Sequence, residues 1–132
     1  MPEGHALGEA LVGRIEEAEL AEGTAGPPTL CHGDASLKNV FSSPSGEIAF
    51  VDWEDVRCGA GVADLAWLLV SSVAPTDWDD VIDAYGPTSR LNDVLPAAAA
   101  QGVLSFADVA DGTPDAAGWV ERLAATSRRL AG

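Results

Sequence analysis

Positive charge is scarce in this sequence. Seven Lys and Arg residues stand against 21 Asp and Glu residues, which gives the 132-residue chain a formal net charge of −14 at pH 7. A surface of this sign repels nucleic-acid phosphates and anionic membranes, so we expect neither as a partner. It would attract a cationic ligand, but a general bias in composition would produce the same balance.

Cysteine and long hydrophobic runs are scarce as well. The two cysteines, Cys31 and Cys58, are too few for a disulfide framework, and we expect both to be small buried residues. No run of 18 or more apolar residues is present, and no basic segment precedes a shorter one. Because a membrane span or a secretion signal needs these features, the sequence predicts a cytoplasmic protein.

The apolar content is nevertheless high enough for a core. Hydrophobic residues make up 47% of the chain, and its length predicts a single domain over residues 1–132. Apolar spacing and capping residues predict helices at 4–21, at 64–70, from a capping box at Thr76–Asp79 to Gly86, at 91–110, and from Thr113-Pro114 onward. Segment 64–70 is nearly all apolar, which predicts a central buried helix. Pro96 is expected to split the fourth helix or to open its longer part.

A β-hairpin is predicted between the first and second helices. Two short strands flank a Pro/Gly turn, Val40–Ser42 and Glu47–Val51 around Ser43–Gly46. The first strand leaves Asn39 and the second leads to Asp52, so the hairpin should bring both residues and Asp34 to one end of the sheet. Gly59 and Gly61 then predict a loop.

Two short segments carry the chemistry that the sequence indicates. Residues 32–39 read His-Gly-Asp-Ala-Ser-Leu-Lys-Asn, and residues 51–55 read Val-Asp-Trp-Glu-Asp. Phosphoryl transfer needs a carboxylate that orients and deprotonates a hydroxyl. It also needs an amide and a second carboxylate that hold Mg²⁺ on the phosphates. The two segments together contain these groups.

Residues 29–70 resemble the aminoglycoside phosphotransferase/choline kinase-like family, whose members are relatives of the protein kinases. The family pattern is His-Gly-Asp-x-x-x-x-Asn, a hairpin, Ile/Val-Asp-Trp-Glu and a later Asp-Leu-Ala, here Asp64-Leu65-Ala66. The resemblance implies an α+β fold, namely the mostly helical C-terminal lobe of a protein-kinase-like fold with one catalytic β-hairpin. It also implies Mg²⁺-dependent transfer of the γ-phosphate of ATP or GTP to a hydroxyl. The acceptor would be an aminoglycoside-, choline- or sugar-like small molecule, cationic in some of these cases.

The same resemblance implies a role for each matching residue. Asp34 would be the catalytic base, and His32 would brace its loop. Asn39 and Asp52 would bind Mg²⁺. Asp64 would be a buried structural carboxylate that accepts hydrogen bonds from backbone N–H groups of the catalytic loop.

Neighbouring residues have more than one possible role. Lys38, the only lysine, could contact a phosphate of the nucleotide or remain solvated. Glu54 and Asp55 could make water-mediated metal contacts, contact a substrate amine or remain solvated. Trp53 is predicted to pack in the core.

The sequence also departs from the family pattern. Ser36-Leu37-Lys38 stands where the family has His-Pro-Gly, and Gly59-Ala60-Gly61 stands where it has Gly-Asp-Pro. No Gly-rich loop over a strand pair and no second lysine is present to hold a nucleotide. We therefore expect the N-terminal nucleotide-binding lobe to be absent, and the chain to be a truncated or partial member with little activity alone. A separate N-terminal lobe or a partner chain would then complete it.

Three other functions stay open at this point. The chain could be a non-catalytic remnant that binds a metal, a nucleotide or a partner protein. It could be a metal-dependent phosphoesterase that uses His32, Asp34 and Asp52, although the only other histidine, His5, lies far off in the first predicted helix. It could also be an acidic helical interaction domain in which the motif is a coincidence.

Overall fold

The computed structural model describes residues 25–109 and 115–132. Within these ranges the elements follow one another as β1 (Pro28–Cys31), β2 (Val40–Ser42), β3 (Ile48–Phe50), β4 (Arg57–Ala60), α1 (Val62–Ser72), α2 (Trp78–Tyr85), α3 (Leu91–Val109) and α4 (Ala116–Ala131). The fold is α+β and mostly helical, which confirms the predicted class. The predicted helix at 4–21 and the predicted cap at Thr113-Pro114 lie outside the described residues.

The predicted hairpin is confirmed. Strands β2 and β3 pair antiparallel, with Val40 opposite Phe50 and Ser42 opposite Ile48. The turn is closed by the Ser43 N–H, which donates to the Glu47 carbonyl over 2.8 Å. The pairing extends past the strands, because the Val51 N–H donates to the Asn39 carbonyl over 2.9 Å. The residues just before and just after the hairpin therefore lie side by side.

A second strand pair was not predicted. Strand β4 occupies the segment whose glycines predict a loop, and it pairs antiparallel with β1, Leu30 opposite Cys58 and Cys31 opposite Arg57. The local glycine signal is overridden by a partner strand about thirty residues earlier in the chain. The pairing also corrects the prediction for Cys58, which is exposed, whereas Cys31 is buried. Leu30 is 70% exposed, and directly paired residues lie on the same face of a sheet, so Cys58 shares the solvent side with Leu30.

Helix α1 lies at the centre of the core, as its apolar sequence predicts. Ala66, Leu69 and Val70 are fully buried, and α1 packs against α3 and α4. Leu95 on α3 is also fully buried. Within the described ranges, no helix combines the length and the apolar character needed to cross a membrane.

The sequence predicts the C-terminal end of α2 correctly but not its N-terminal end. The helix stops at Gly86, which has a φ of 111° and donates its N–H to the Ile82 carbonyl over 3.2 Å. At the N-terminal end of α2, the prediction of a capping box is wrong. Thr76 lies in a 3₁₀ turn, Pro75–Asp77, and no side chain of the described residues caps the helix that starts at Trp78. The Trp78 indole instead anchors this end through a 2.8 Å hydrogen bond to the Val73 carbonyl.

Pro96 neither splits α3 nor opens it, contrary to the prediction. The helix runs through it from Leu91 to Val109. A proline inside a helix costs roughly 3 kcal/mol, while burying a large aliphatic side chain contributes about 1.5–3 kcal/mol. The adjacent Val94 and Leu95 are 1% and 0% exposed, so their packing offsets the proline.

Candidate active site

Asp34 is held by contacts to both oxygens of its carboxylate. The Trp67 indole N–H donates to Oδ1 over 2.7 Å, and the Asn39 side-chain amide donates to Oδ2 over 3.1 Å. Lys38 Nζ lies 3.4 Å from Oδ2. The Asn39 amide also donates to the Asp34 carbonyl over 2.9 Å. The segment His32–Asn39, called the Asp34 loop below, therefore fixes its central carboxylate from within and through α1.

These contacts set the charge of Asp34. Partial burial pushes the pKa of its carboxyl up, but the hydrogen bond from Trp67, the charge of Lys38 and the hydrogen bond from Asn39 together bring it below the ordinary value of 3.8. A lowered pKa in the folded state stabilises the fold above the ordinary value. That contribution is present above about pH 4 and is lost as the pH falls through the lowered pKa. At neutral pH the carboxylate is ionised.

Substituting Trp67→Phe should raise the pKa of Asp34 toward its ordinary value. The change removes the hydrogen bond to Oδ1, the largest of the favourable influences on the ionised form. An NMR titration of the Asp34 carboxyl carbon measures the shift. The matched control is Trp53→Phe, because the Trp53 indole donates to the Phe50 carbonyl instead. An unchanged Asp34 titration in Trp67→Phe would contradict the assignment.

His32 ties the Asp34 loop to the hairpin. The residue is 3% exposed. The Asp34 N–H donates to its Nδ1 over 3.1 Å, and its Nε2 lies 2.8 Å from the Val51 carbonyl. Because Nδ1 accepts a backbone hydrogen bond, the ring proton is placed on Nε2, which donates to Val51. Phe50 and Trp53 flank the ring, with centroids 5.5 and 4.6 Å away. Trp53 was predicted to lie in the core, but it is 45% exposed, since it follows the hairpin strand at the edge of the fold.

Asp64 joins α1 to the same loop. It lies in the first turn of α1 and is partly rather than fully buried, contrary to the prediction. Its two carboxylate oxygens accept the N–H groups of His32 and Gly33 over 2.7 and 3.1 Å, as predicted. Two backbone donors that the loop would otherwise leave without partners are satisfied in this way. The carboxylate therefore fixes the start of the loop relative to the central helix.

Asp52 lies directly after the hairpin and is exposed. Its φ of 61° makes it the one non-glycine with a positive φ among the described residues. Such a conformation costs free energy and is concentrated at functional sites, although Asp tolerates it better than most residues. The structure gives no direct contact between Asp52 and Asp34. The link is the preceding Val51, whose N–H and carbonyl bond Asn39 and His32.

Three other residues were predicted to belong to the site: Lys38, Glu54 and Asp55. The Lys38 side chain is 70% exposed and pairs with Asp34, and Glu54 and Asp55 are exposed. The backbone of Asp55 packs closely against Gly33. Across residues 25–109 and 115–132, no group of three or more His, Cys, Asp or Glu side chains is arranged to hold a metal ion.

Two residues of the site were missed by sequence reasoning. Trp67 bonds the central carboxylate, and its only sequence signal is its place three residues after Asp64, which puts both on one side of a helix. Ser36 is 5% exposed, and its hydroxyl has no hydrogen-bond partner among the described residues. Its signal was its place in the three residues where the sequence departs from the family pattern.

The structure combines the Asp34 loop and a hairpin with a mostly helical core. Comparison with protein families is decisive here: the model of the phosphotransferase enzyme family matches residues 3–100. The chain belongs to this family, and α4 lies beyond the matched residues. Comparisons with curated proteins and with solved structures gave no match.

Proposed function

We propose that this chain carries the acceptor-activating part of a small-molecule kinase. In the reaction, the acceptor hydroxyl gives its proton to the Asp34 carboxylate, and its oxygen attacks the γ-phosphorus of ATP or GTP. The bond from that phosphorus to the β-phosphate oxygen breaks, and a nucleoside diphosphate leaves. The observation that carries the proposal is the fixed, ionised Asp34 carboxylate with a cation beside it.

The lowered pKa of Asp34 is compatible with this role. A carboxylate with a low pKa is a weak proton acceptor, so it contributes little by taking the proton early. In a loose phosphoryl-transfer transition state, however, the main task of this residue is to orient the hydroxyl. A rigid carboxylate performs that task, and the contacts of Trp67 and Asn39 supply the rigidity. His32 and Asp64 act as positioning residues through the loop backbone.

Asn39 and Asp52 fit a magnesium ion. The Asn39 amide nitrogen donates twice to Asp34, so its Oδ1 has no hydrogen-bond partner among the described residues and is available as a ligand. A carboxylate and an amide oxygen are the hard ligands that Mg²⁺ takes, with water and phosphate oxygens completing the shell. The ion would neutralise charge on the transferred phosphate.

Lys38 is proposed to contact a phosphate oxygen, in exchange for its exposed ion pair with Asp34. Surface ion pairs contribute little to stability, so the exchange costs little. Glu54 and Asp55 are proposed as outer contacts to metal-bound water or to substrate. We further propose that a separate nucleotide-binding lobe is needed for rapid turnover, because positioning of the triphosphate accounts for most of the rate.

Substituting Asp52→Ala should abolish most Mg²⁺-dependent binding of ATP. The change removes the carboxylate assigned to the metal, while the loop and the core keep their contacts. Calorimetry with ATP in the presence and absence of Mg²⁺ measures the effect. The matched control is Asp83→Ala, an exposed carboxylate on α2. Equal Mg²⁺-dependent binding by Asp52→Ala and the unsubstituted chain would count against the metal assignment.

Substituting Asp34→Asn should reduce phosphoryl transfer by about 100-fold or more, because the variant loses the ionised carboxylate that orients the acceptor hydroxyl and receives its proton. The assay is acceptor-dependent ATP or GTP consumption, run on the chain alone and together with an added nucleotide-binding lobe. Little turnover is expected from the chain alone. With the lobe present, Asp34→Asn should lose turnover while it keeps Mg²⁺·ATP binding. Turnover equal to that of the unsubstituted chain would overturn the proposed function.

A further inference from the structure

One oxygen of the Asp34 carboxylate depends on a single donor. Oδ2 lies against the Asn39 amide and Lys38, whereas Oδ1 accepts only the Trp67 indole N–H among the described residues, over 2.7 Å. The torsion that rotates a carboxylate about its bond to Cβ is soft. The bond from Trp67 therefore decides how the Oδ1 side of Asp34 is turned, while the backbone of the loop is fixed by Asp64.

The Trp67 ring lies in turn against a second tryptophan, Trp119 of α4. The two ring centroids are 6.2 Å apart and the ring planes are tilted by 47°, within the range of about 4.5–7 Å in which aromatic rings attract each other. Trp67 is 7% exposed, and Trp119 packs on the same core from its partly buried position. Because Trp119 lies beyond the matched residues 3–100, family membership gives it no role.

Trp119 is held in place on two sides. The Arg122 guanidinium lies 4.9 Å over its ring, and Arg122 is 6% exposed and donates from Nε to the Val70 carbonyl over 2.8 Å. On another side α3 comes close at Gly102, where a Cβ atom would lie 3.4 Å from Cζ3 of the Trp119 ring. The ring is thus confined by an anchored cation and by the backbone of a neighbouring helix.

We infer that Trp119 is a positioning residue for Asp34 and that it acts through the Trp67 indole. The inference rests on the proposed function, because a reaction at Asp34 is what makes the orientation of this carboxylate matter. Removing the Trp119 ring would leave a void beside Trp67. An indole next to a void can turn about its soft χ2 torsion, and its N–H then no longer points at Oδ1.

The test follows indole N–H signals by NMR in the full chain without nucleotide. Trp119→Ala should speed hydrogen exchange of the Trp67 indole about tenfold relative to that of Trp78. The Trp78 indole donates to the Val73 carbonyl over 2.8 Å, so it is an internal reference that general loss of stability would affect equally. The chemical shift of the Trp67 indole proton should move toward its value in Asp34→Ala, which lacks the acceptor.

Two further variants separate positioning from packing. Trp119→Phe keeps an aromatic ring and should keep the Trp67 signal near its original shift and exchange rate. Leu123→Ala is the matched truncation, because Leu123 is also a partly buried residue of α4 that packs against the core. It should lower the Tm and leave the Trp67 signal in place. If circular dichroism shows that Trp119→Ala does not fold, Trp119→Leu retains apolar bulk without the ring and should move the Trp67 signal in the same direction.

Three results would overturn the inference. They are parallel exchange of the Trp67 and Trp78 indoles when the Trp119 ring is removed, an equal change of the Trp67 signal in Leu123→Ala, and loss of the signal in Trp119→Phe.

Turnover with an added nucleotide-binding lobe provides the functional arm of the test. Trp119→Ala should lower kcat about tenfold with little change in the KM for ATP, and it should cause little further loss in a Trp67→Phe background. An unchanged kcat in Trp119→Ala, where Asp34→Asn has lost turnover, overturns the inference alone. Failure of the proposed function gives a different result, since turnover is then indifferent to Asp34→Asn, whatever happens to the Trp67 signal.

Discussion

Substituting Gly33→Ala should destabilise the chain by about 3 kcal/mol or more, because two costs combine. Gly33 has a φ of 89°, a conformation that side chains rarely adopt. A Cβ atom at this position would also lie 2.2 Å from the carbonyl oxygen of Asp55. The clashing atom belongs to the backbone, so it cannot move aside as a side chain would. Denaturant unfolding measures the loss.

The hairpin turn provides a matched control for this substitution. Gly46 has a φ of 87°, but a Cβ atom there would meet nothing within 4 Å. Gly46→Ala should therefore cost only the conformational part, about 1 kcal/mol. The difference between the two variants isolates the close approach of the Asp55 backbone to the Asp34 loop. Equal losses in both variants would show that the two segments are not packed together.

The second large effect is expected at Asp64. Asp64→Ala should lower the free energy of unfolding by roughly 2–4 kcal/mol, since it leaves the N–H groups of His32 and Gly33 without their acceptor. Thermal melting should show a fall in Tm of roughly 10 °C for a domain of this size.

The control for Asp64→Ala is Asp83→Ala, which also removes a carboxylate from a helix. Asp83 is exposed on α2, so its loss should change the free energy of unfolding by less than about 0.5 kcal/mol. A melt of Asp64→Ala that coincides with that of the control would mean that the loop is held by its strands alone.

Local signals in the sequence were sufficient for the hairpin and for α1. A Pro/Gly turn between two short apolar strands specifies β2 and β3, and six consecutive apolar residues after Asp64 specify a buried helix. Strand β4 could not be found in this way. Its glycines argue for a loop, and only the distant partner β1 makes the segment a strand. The prediction for Pro96 was also wrong because tertiary packing outweighs a local preference.

The candidate site likewise contains residues that the local sequence indicates and contacts that only tertiary packing creates. Spacing along the chain was enough to indicate His32, Asp34 and Asn39 as one loop, because they are close in sequence. The contact of Trp67 with Asp34 joins residues 33 positions apart, and no local pattern records it. The unpartnered Ser36 hydroxyl is likewise a property of the packed structure, since burial decides whether a hydroxyl reaches water.

The placement of α4 at the C-terminal end has a consequence for the order in which the protein assembles during synthesis. The hydrogen bonds that fix the Asp34 loop join residues at most 35 positions apart, the longest being the one from Leu37 to Ser72. Helix α4 is attached later, through the hydrogen bond from Arg122 to the Val70 carbonyl, which spans 52 positions. Because short loops close with less entropy loss, a chain leaving the ribosome can complete the carboxylate site before α4 emerges. The Asp34 loop and α4 are therefore successive products of translation, and changes near the C-terminus can alter α4 while the loop stays intact.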